Sequence, residues 1–148
     1  MRIEIANLQN HYDINENKIE KIVKKVLNSE KKDARLSIAL VDNGEIKRLN
    51  KRFLDSNEIT DVIAFPLSDN RNILNGEIIV SVERALEVAN EVKSNVEGEI
   101  ILYIVHGMLH LLGFDDHDER DAKIMHEKEA KILAFLGYKV PKVENGFL

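Results

Sequence analysis

The chain has 148 residues, of which 44% are hydrophobic and 32% are charged, and this composition fits one globular domain with a substantial core. Its 26 acidic and 21 basic residues give a net charge of −5, which argues against indiscriminate nucleic-acid binding but is compatible with a local basic patch. It has no cysteine, which excludes disulfides and thiolate ligands, so any metal must be held by histidine and carboxylate.

The N-terminal residues, MRIEIANLQN, alternate like a strand and lack the apolar stretch of a signal peptide. No run approaches the roughly 20 apolar residues that a membrane span requires. We therefore expect a single domain over residues 1–148, located in the cytoplasm and without a membrane partner.

Strand patterns and amphipathic helix patterns follow one another in the first half of the chain. Asn15 is the expected N-cap of the first helix, and Pro66 is expected to end the third strand. The predicted elements are a strand over 2–8, a helix over 16–28, a strand over 36–41, a helix from 45 to about 53, and a strand over 62–65.

The second half of the chain continues after a polar loop at 70–75. A strand over 77–82, opened by Gly76, precedes a helix over about 82–93 and a weak break at 95–98. The segment 99–112 is apolar nearly all round, which is typical of a buried helix, and a last helix follows over about 119–136. These elements predict an α+β fold in which a small mixed sheet of about four strands packs with about five helices around a central buried helix.

The thirteen residues 106–118, HGMLHLLGFDDHD, contain three histidines and three aspartates. On the predicted buried helix, His106 and His110 are four residues apart, so both imidazoles point the same way. Two desolvated rings side by side are difficult to satisfy with hydrogen bonds, whereas a divalent metal accepts both in their neutral form. The spacing therefore predicts a metal site, while His126 is expected to be an ordinary surface residue.

Gly113 follows the last apolar residue of this helix and is suited to the left-handed conformation that turns the chain back. The turn would bring Asp115, Asp116 and His117 toward the two histidines. Two histidines and one further ligand leave one position of a tetrahedral Zn²⁺ open, which is typical of catalytic sites. The third ligand is either Asp116 or His117, and Asp116 is favoured because it needs no change in the turn.

The segment HGMLHLLGFDDH resembles the HGxLHLxGYDH signature of the YbeY family of bacterial rRNA maturation factors. Leu49-Asn50, the segment TDVIAFP at 60–66 and the segment GEI at 76–78 are similar, in order and spacing, to further blocks of that family. The resemblance covers most of the chain. It implies a zinc site on a central helix and a single-strand endoribonuclease that acts in 16S rRNA 3′-end maturation and in quality control of the small ribosomal subunit.

Two departures from the family pattern affect the site. The third family ligand is a histidine six residues after the second, and Asp116 occupies that position, with His117 one place later. The family also uses an arginine six residues before the threonine of the TDV block, where this chain has Leu54. On an extended backbone Arg52 would point to the same side as Leu54 and would replace the missing cation.

The candidate catalytic residues are therefore Arg52, which would hold a phosphate, and Asp115, which would accept a proton beside the metal. An alternative interpretation is a zinc metallopeptidase, because the frame His-x3-His-x2-Gly-x2-His/Asp also occurs in metzincin-type proteases. Those proteases require a glutamate directly after the first histidine, and Gly107 stands there. A third interpretation is a non-catalytic ribosome-assembly factor with a structural zinc.

Overall fold

A computed structural model describes residues 1–56, 60–68 and 72–139 of the chain. Four strands and five helices lie in these ranges: β1 (Arg2–Asn7), α1 (Glu16–Ser29), β2 (Asp33–Val41), α2 (Asn43–Leu54), β3 (Val62–Pro66), β4 (Ile73–Ser81), α3 (Val82–Val92), α4 (Val96–Leu111) and α5 (Glu119–Phe135). The predicted α+β fold is confirmed. The expected domain span of 1–148 includes 57–59, 69–71 and 140–148, which lie outside the described residues.

The four strands form one mixed sheet in the order β1-β2-β4-β3. The first three run parallel, with Ile3 opposite Leu36 and Ile38 opposite Ile78, whereas β3 is an antiparallel edge strand. Parallel neighbours need long crossover connections, and α1 makes the crossover from β1 to β2. Helix α4, which carries the two histidines, packs against strands β4 and β3 of this sheet.

Helix α4 is the centre of the fold and packs against β3, β4, α3 and α5. Its buried side chains lie on all sides and include Ile100, Ile101, Leu102, Ile104, Val105, Met108 and Leu109. Gly107 permits its close approach to the sheet, because a Cβ there would lie only 2.8 Å from Cγ2 of Ile78 on β4. Even so, among the described helices none is both long and apolar enough to cross a membrane.

Several predicted boundaries were wrong. β4 begins at Ile73, so the end of the expected loop at 70–75 belongs to a strand. Helix α3 begins at Val82, as expected, and β4 therefore ends one residue earlier than predicted, at Ser81. Gly98 lies inside α4 instead of in a break, because the Asn95 side chain accepts a hydrogen bond from its N–H and starts the helix earlier.

Candidate metal centre

The last turns of α4 place His106 and His110 side by side, as their spacing predicts. The two Nε2 atoms are 3.1 Å apart, and the rings meet edge to face with centroids 4.7 Å apart. Both side chains are partly exposed, at 20% and 33%, although the helix around them is buried. The pair therefore opens to solvent at one end of an otherwise buried helix, where an ion can reach it.

Gly113 ends α4 in the conformation expected from the sequence, with φ of +100°. Its N–H donates to the carbonyl of His110 at 3.0 Å, and the N–H of Phe114 donates to the carbonyl of Leu109 at 2.9 Å. These two bonds form a Schellman motif, which reverses the chain direction directly after the helix. The reversal brings the residues after the turn back to the histidines.

Asp116 is the residue that the turn brings to the histidine pair. Its Oδ2 lies 3.9 Å from Nε2 of His106, and its Oδ1 lies 4.0 Å from Nε2 of His110. Ligand atoms bound tetrahedrally to Zn²⁺ at roughly 2.0–2.2 Å are about 3.4 Å from one another. Since the observed separations bracket that value, two imidazoles and one carboxylate suit a zinc ion both in chemistry and in spacing, and the three residues can hold a metal.

His117 and Asp115 form a pair of their own beside this group. Nε2 of His117 lies 3.1 Å from Oδ2 of Asp115, and the His117 side chain is 86% exposed. The other oxygen of Asp115 accepts the backbone N–H of Asp116 at 2.7 Å. The arrangement agrees with the interpretation in which Asp116, and not His117, faces the two histidines of α4.

Sequence reasoning missed Glu129, a buried carboxylate on α5. Its Oε1 lies 2.5 Å from Nδ1 of His106, and its side chain is only 3% exposed. Burial alone would lower the pKa of His106, but the hydrogen bond and the negative charge of Glu129 raise it above its ordinary value. For His110, burial and the neighbouring His106 lower the pKa, which favours a neutral ring. The sequence does contain a signal for Glu129, because it is an acidic residue within the apolar stripe formed by Met125, Ile132 and Leu133.

A cavity of about 360 Å³ adjoins the metal centre, with His106 and Glu129 on its wall. Asp61, Arg84, Tyr103 and His126 also line it. The expectation that His126 is an ordinary surface residue was wrong, because its side chain is 19% exposed and its Nδ1 lies 3.5 Å from Oε2 of Glu129. It lies three residues before Glu129 on α5 and so shares the face that turns toward α4.

The expectation that Arg52 and Leu54 lie on extended backbone and point to the same side was wrong. Both residues lie in the last turn of α2, where positions two apart are about 200° apart around the axis and do not share a side. The Arg52 guanidinium lies 5.3 Å from the centroid of the Phe53 ring, and that ring contacts Phe65 of β3 with centroids 5.5 Å apart. Arg52 is thus exposed at the end of α2, beside the edge strand.

Comparison with known proteins gives a consistent result. The family model described as Endoribonuclease YbeY matches residues 4–137. An Endoribonuclease YbeY of Carboxydothermus hydrogenoformans is 42% identical over 90% of this chain and 96% of its own length, and one of Finegoldia magna is 38% identical over 93% and 95%. The solution structure of TM1509 from Thermotoga maritima superposes with a TM-score of 0.69 at 29% identity, covering 91% of this chain and 89% of that one.

Proposed function

The chain belongs to the YbeY endoribonuclease family. We propose that it is a metal-dependent, single-strand-specific endoribonuclease acting in 16S rRNA 3′-end maturation and ribosome quality control. Its substrate is then the 16S rRNA precursor on or near the small ribosomal subunit, in the cytoplasm. The main support for this proposal is that His106, His110 and Asp116 lie close together at one end of α4.

We assign one Zn²⁺ per chain to these three residues, because neutral imidazole nitrogens and a carboxylate oxygen are typical of catalytic zinc sites that have three protein ligands and leave the fourth position to water. When bound, zinc lowers the pKa of a water molecule toward roughly 7 and acts as a Lewis acid toward a phosphoryl oxygen. Asp116 contributes a negative charge that a third histidine would not, so this ligand set neutralises more of the charge of the ion.

Two further residues have roles around that centre. Arg52, exposed at the end of α2, is assigned to hold a phosphate of the RNA, since its planar guanidinium can pair with two phosphate oxygens at once. Asp115 is assigned as the proton acceptor, because its carboxylate is partly exposed and directly precedes Asp116. His117, paired with Asp115, would orient that carboxylate.

The arrangement disfavours a metallopeptidase. Such enzymes carry a glutamate directly after the first histidine, whereas this chain has Gly107. A Cβ at that position would lie 2.8 Å from Cγ2 of Ile78, so a glutamate there would require the buried Ile78 side chain to move. A non-catalytic assembly factor with a structural zinc is the alternative that the experiment must separate from the nuclease.

The test compares one RNA oligonucleotide in single-stranded form and annealed to its complement, with protein that carries one equivalent of metal. We expect cleavage of the single strand only, its loss on chelation and its recovery when Zn²⁺ is added back. Arg52→Ala should reduce turnover while metal content stays unchanged, whereas removal of an exposed cation on α1 by Lys21→Ala should not.

Leu54→Arg restores the family cation and is expected to raise the cleavage rate. If the fully metal-loaded wild type and Leu54→Arg both leave single-stranded RNA intact, the endoribonuclease proposal is wrong. A zinc protein that then still binds the small ribosomal subunit would be the non-catalytic assembly factor.

A further inference from the structure

A short contact between a histidine and a buried carboxylate joins α5 to the metal centre. The Glu129 carboxylate lies 2.5 Å from Nδ1 of His106. The other ring nitrogen of His106, Nε2, faces His110 and Asp116. A neutral imidazole has one N–H and one lone pair, and the group that binds the N–H decides which nitrogen carries the lone pair. We propose that Glu129 is a positioning residue that holds His106 in the Nδ1–H form and turns Nε2 toward the metal.

This inference deepens the proposed function, because it rests on the same metal site. In a metal-binding histidine, one ring nitrogen binds the metal and the other carries the N–H. A carboxylate that accepts this N–H fixes the ring orientation and makes the metal-binding nitrogen a better ligand. Asp116 lies on the opposite side of the ring, near Nε2, and therefore cannot accept a hydrogen bond from Nδ1. Among the described acidic residues, Glu129 is the one whose carboxylate contacts Nδ1 of His106.

The surroundings of Glu129 suit a fixed orienting group. The residue is 2% exposed and lies between Met125 and Ile132 on the face of α5 that packs against α4. Its second oxygen is 3.5 Å from Nδ1 of His126, so the carboxylate is placed between two imidazole rings. A buried carboxylate is costly to desolvate unless it is paired, and an apolar residue would serve packing better. A role in core packing therefore does not explain a carboxylate at position 129, whereas its contact with His106 does.

The test measures two quantities in Glu129→Gln and Glu129→Met. The first is the Zn²⁺ dissociation constant, obtained by competition with a chromophoric chelator. The second is the His106 tautomer in metal-free protein, obtained from imidazole ¹⁵N chemical shifts at alkaline pH, where the ring is neutral. Glu127→Gln and Glu127→Met are the matched controls, because Glu127 is on the same helix but exposed.

Glu129→Met keeps a similar volume but offers no acceptor, so we expect Zn²⁺ binding 10- to 100-fold weaker and a shift toward the Nε2–H tautomer. Glu129→Gln retains a carbonyl oxygen that can accept the N–H and should fall between wild type and Glu129→Met. The Glu127 variants should match wild type in both measurements. A residue that served packing alone would not change the tautomer.

The inference is wrong if Glu129→Met folds with the Nδ1–H tautomer and the Zn²⁺ affinity of wild type. Should Glu129→Met not fold, the ranking of Glu129→Gln against Glu127→Gln decides the question. Neither measurement requires RNA. If wild-type protein leaves RNA uncut, the proposed function is wrong, but the role of Glu129 is not affected. If the His106 ring of wild-type protein is in the Nε2–H form, the role of Glu129 is wrong, but the proposed function is not affected.

Discussion

Removing the Asp116 carboxylate is expected to weaken Zn²⁺ binding by more than 100-fold, whereas removing the His117 ring is not. Asp116→Ala would leave two imidazoles, 3.1 Å apart, as the whole ligand set. His117→Ala would remove a ring that is 86% exposed and contacts Asp115. Loss of a supporting residue outside the ligand set typically costs 10- to 100-fold in metal affinity, and 100-fold corresponds to about 2.7 kcal/mol. Loss of a ligand should exceed that range, while His117→Ala should stay within it.

Competition with a chromophoric chelator measures both affinities, and circular dichroism of the metal-free variants confirms that each is folded. Asp116→His, which places the family ligand in register, should retain stoichiometric metal and serves as the rescue variant. If His117→Ala loses more affinity than Asp116→Ala, the chain binds metal through a one-residue insertion in the turn, and the assignment of Asp116 is refuted.

The remaining predictions concern the buried helix. Gly107→Ala should lower the free energy of unfolding by about 1–3 kcal/mol in urea denaturation, because its Cβ would lie 2.8 Å from Ile78, and an unchanged midpoint would show that α4 is not in tight contact with β4. Glu99 is 5% exposed, and burial raises its pKa although Ser94 donates a hydrogen bond to it. Because its folded-state pKa is the higher one, the unfolding free energy of wild type relative to Glu99→Gln should rise as the pH falls from neutral toward about 4.3, and a difference that is constant with pH would contradict this.

The parts of the site that follow local rules could be predicted from the sequence. The pair His106 and His110 needs only the repeat of an α-helix, and the turn at Gly113 needs only a residue that accepts positive φ. The approach of Asp116 follows once the turn is known, because only two residues separate it from Gly113. The apolar run that forms α4 likewise identified the helix that the rest of the fold surrounds.

The parts that depend on tertiary packing could not be predicted. Glu129 is 23 residues from His106 in sequence, and only the packing of α5 on α4 brings the two together. The relation between Arg52 and Leu54 was wrong for a local reason instead: Leu54 is a good helix former and continues α2 up to Asp55, which takes the left-handed cap, one residue beyond the predicted end near 53. That single boundary decides whether Arg52 and Leu54 share a side.

One metal ion, held by His106 and His110, is proposed to make the chain an RNA-cleaving enzyme. To test this proposal, Zn²⁺ is added stepwise to metal-free protein while the initial rate of single-stranded RNA cleavage is recorded. We expect the rate to rise in proportion to bound metal and to reach its plateau at one equivalent, with no rate and no stoichiometric metal in the double variant His106→Ala/His110→Ala. Cleavage by metal-free protein, or cleavage by the double variant equal to that of wild type, would show that the metal site does not perform the reaction.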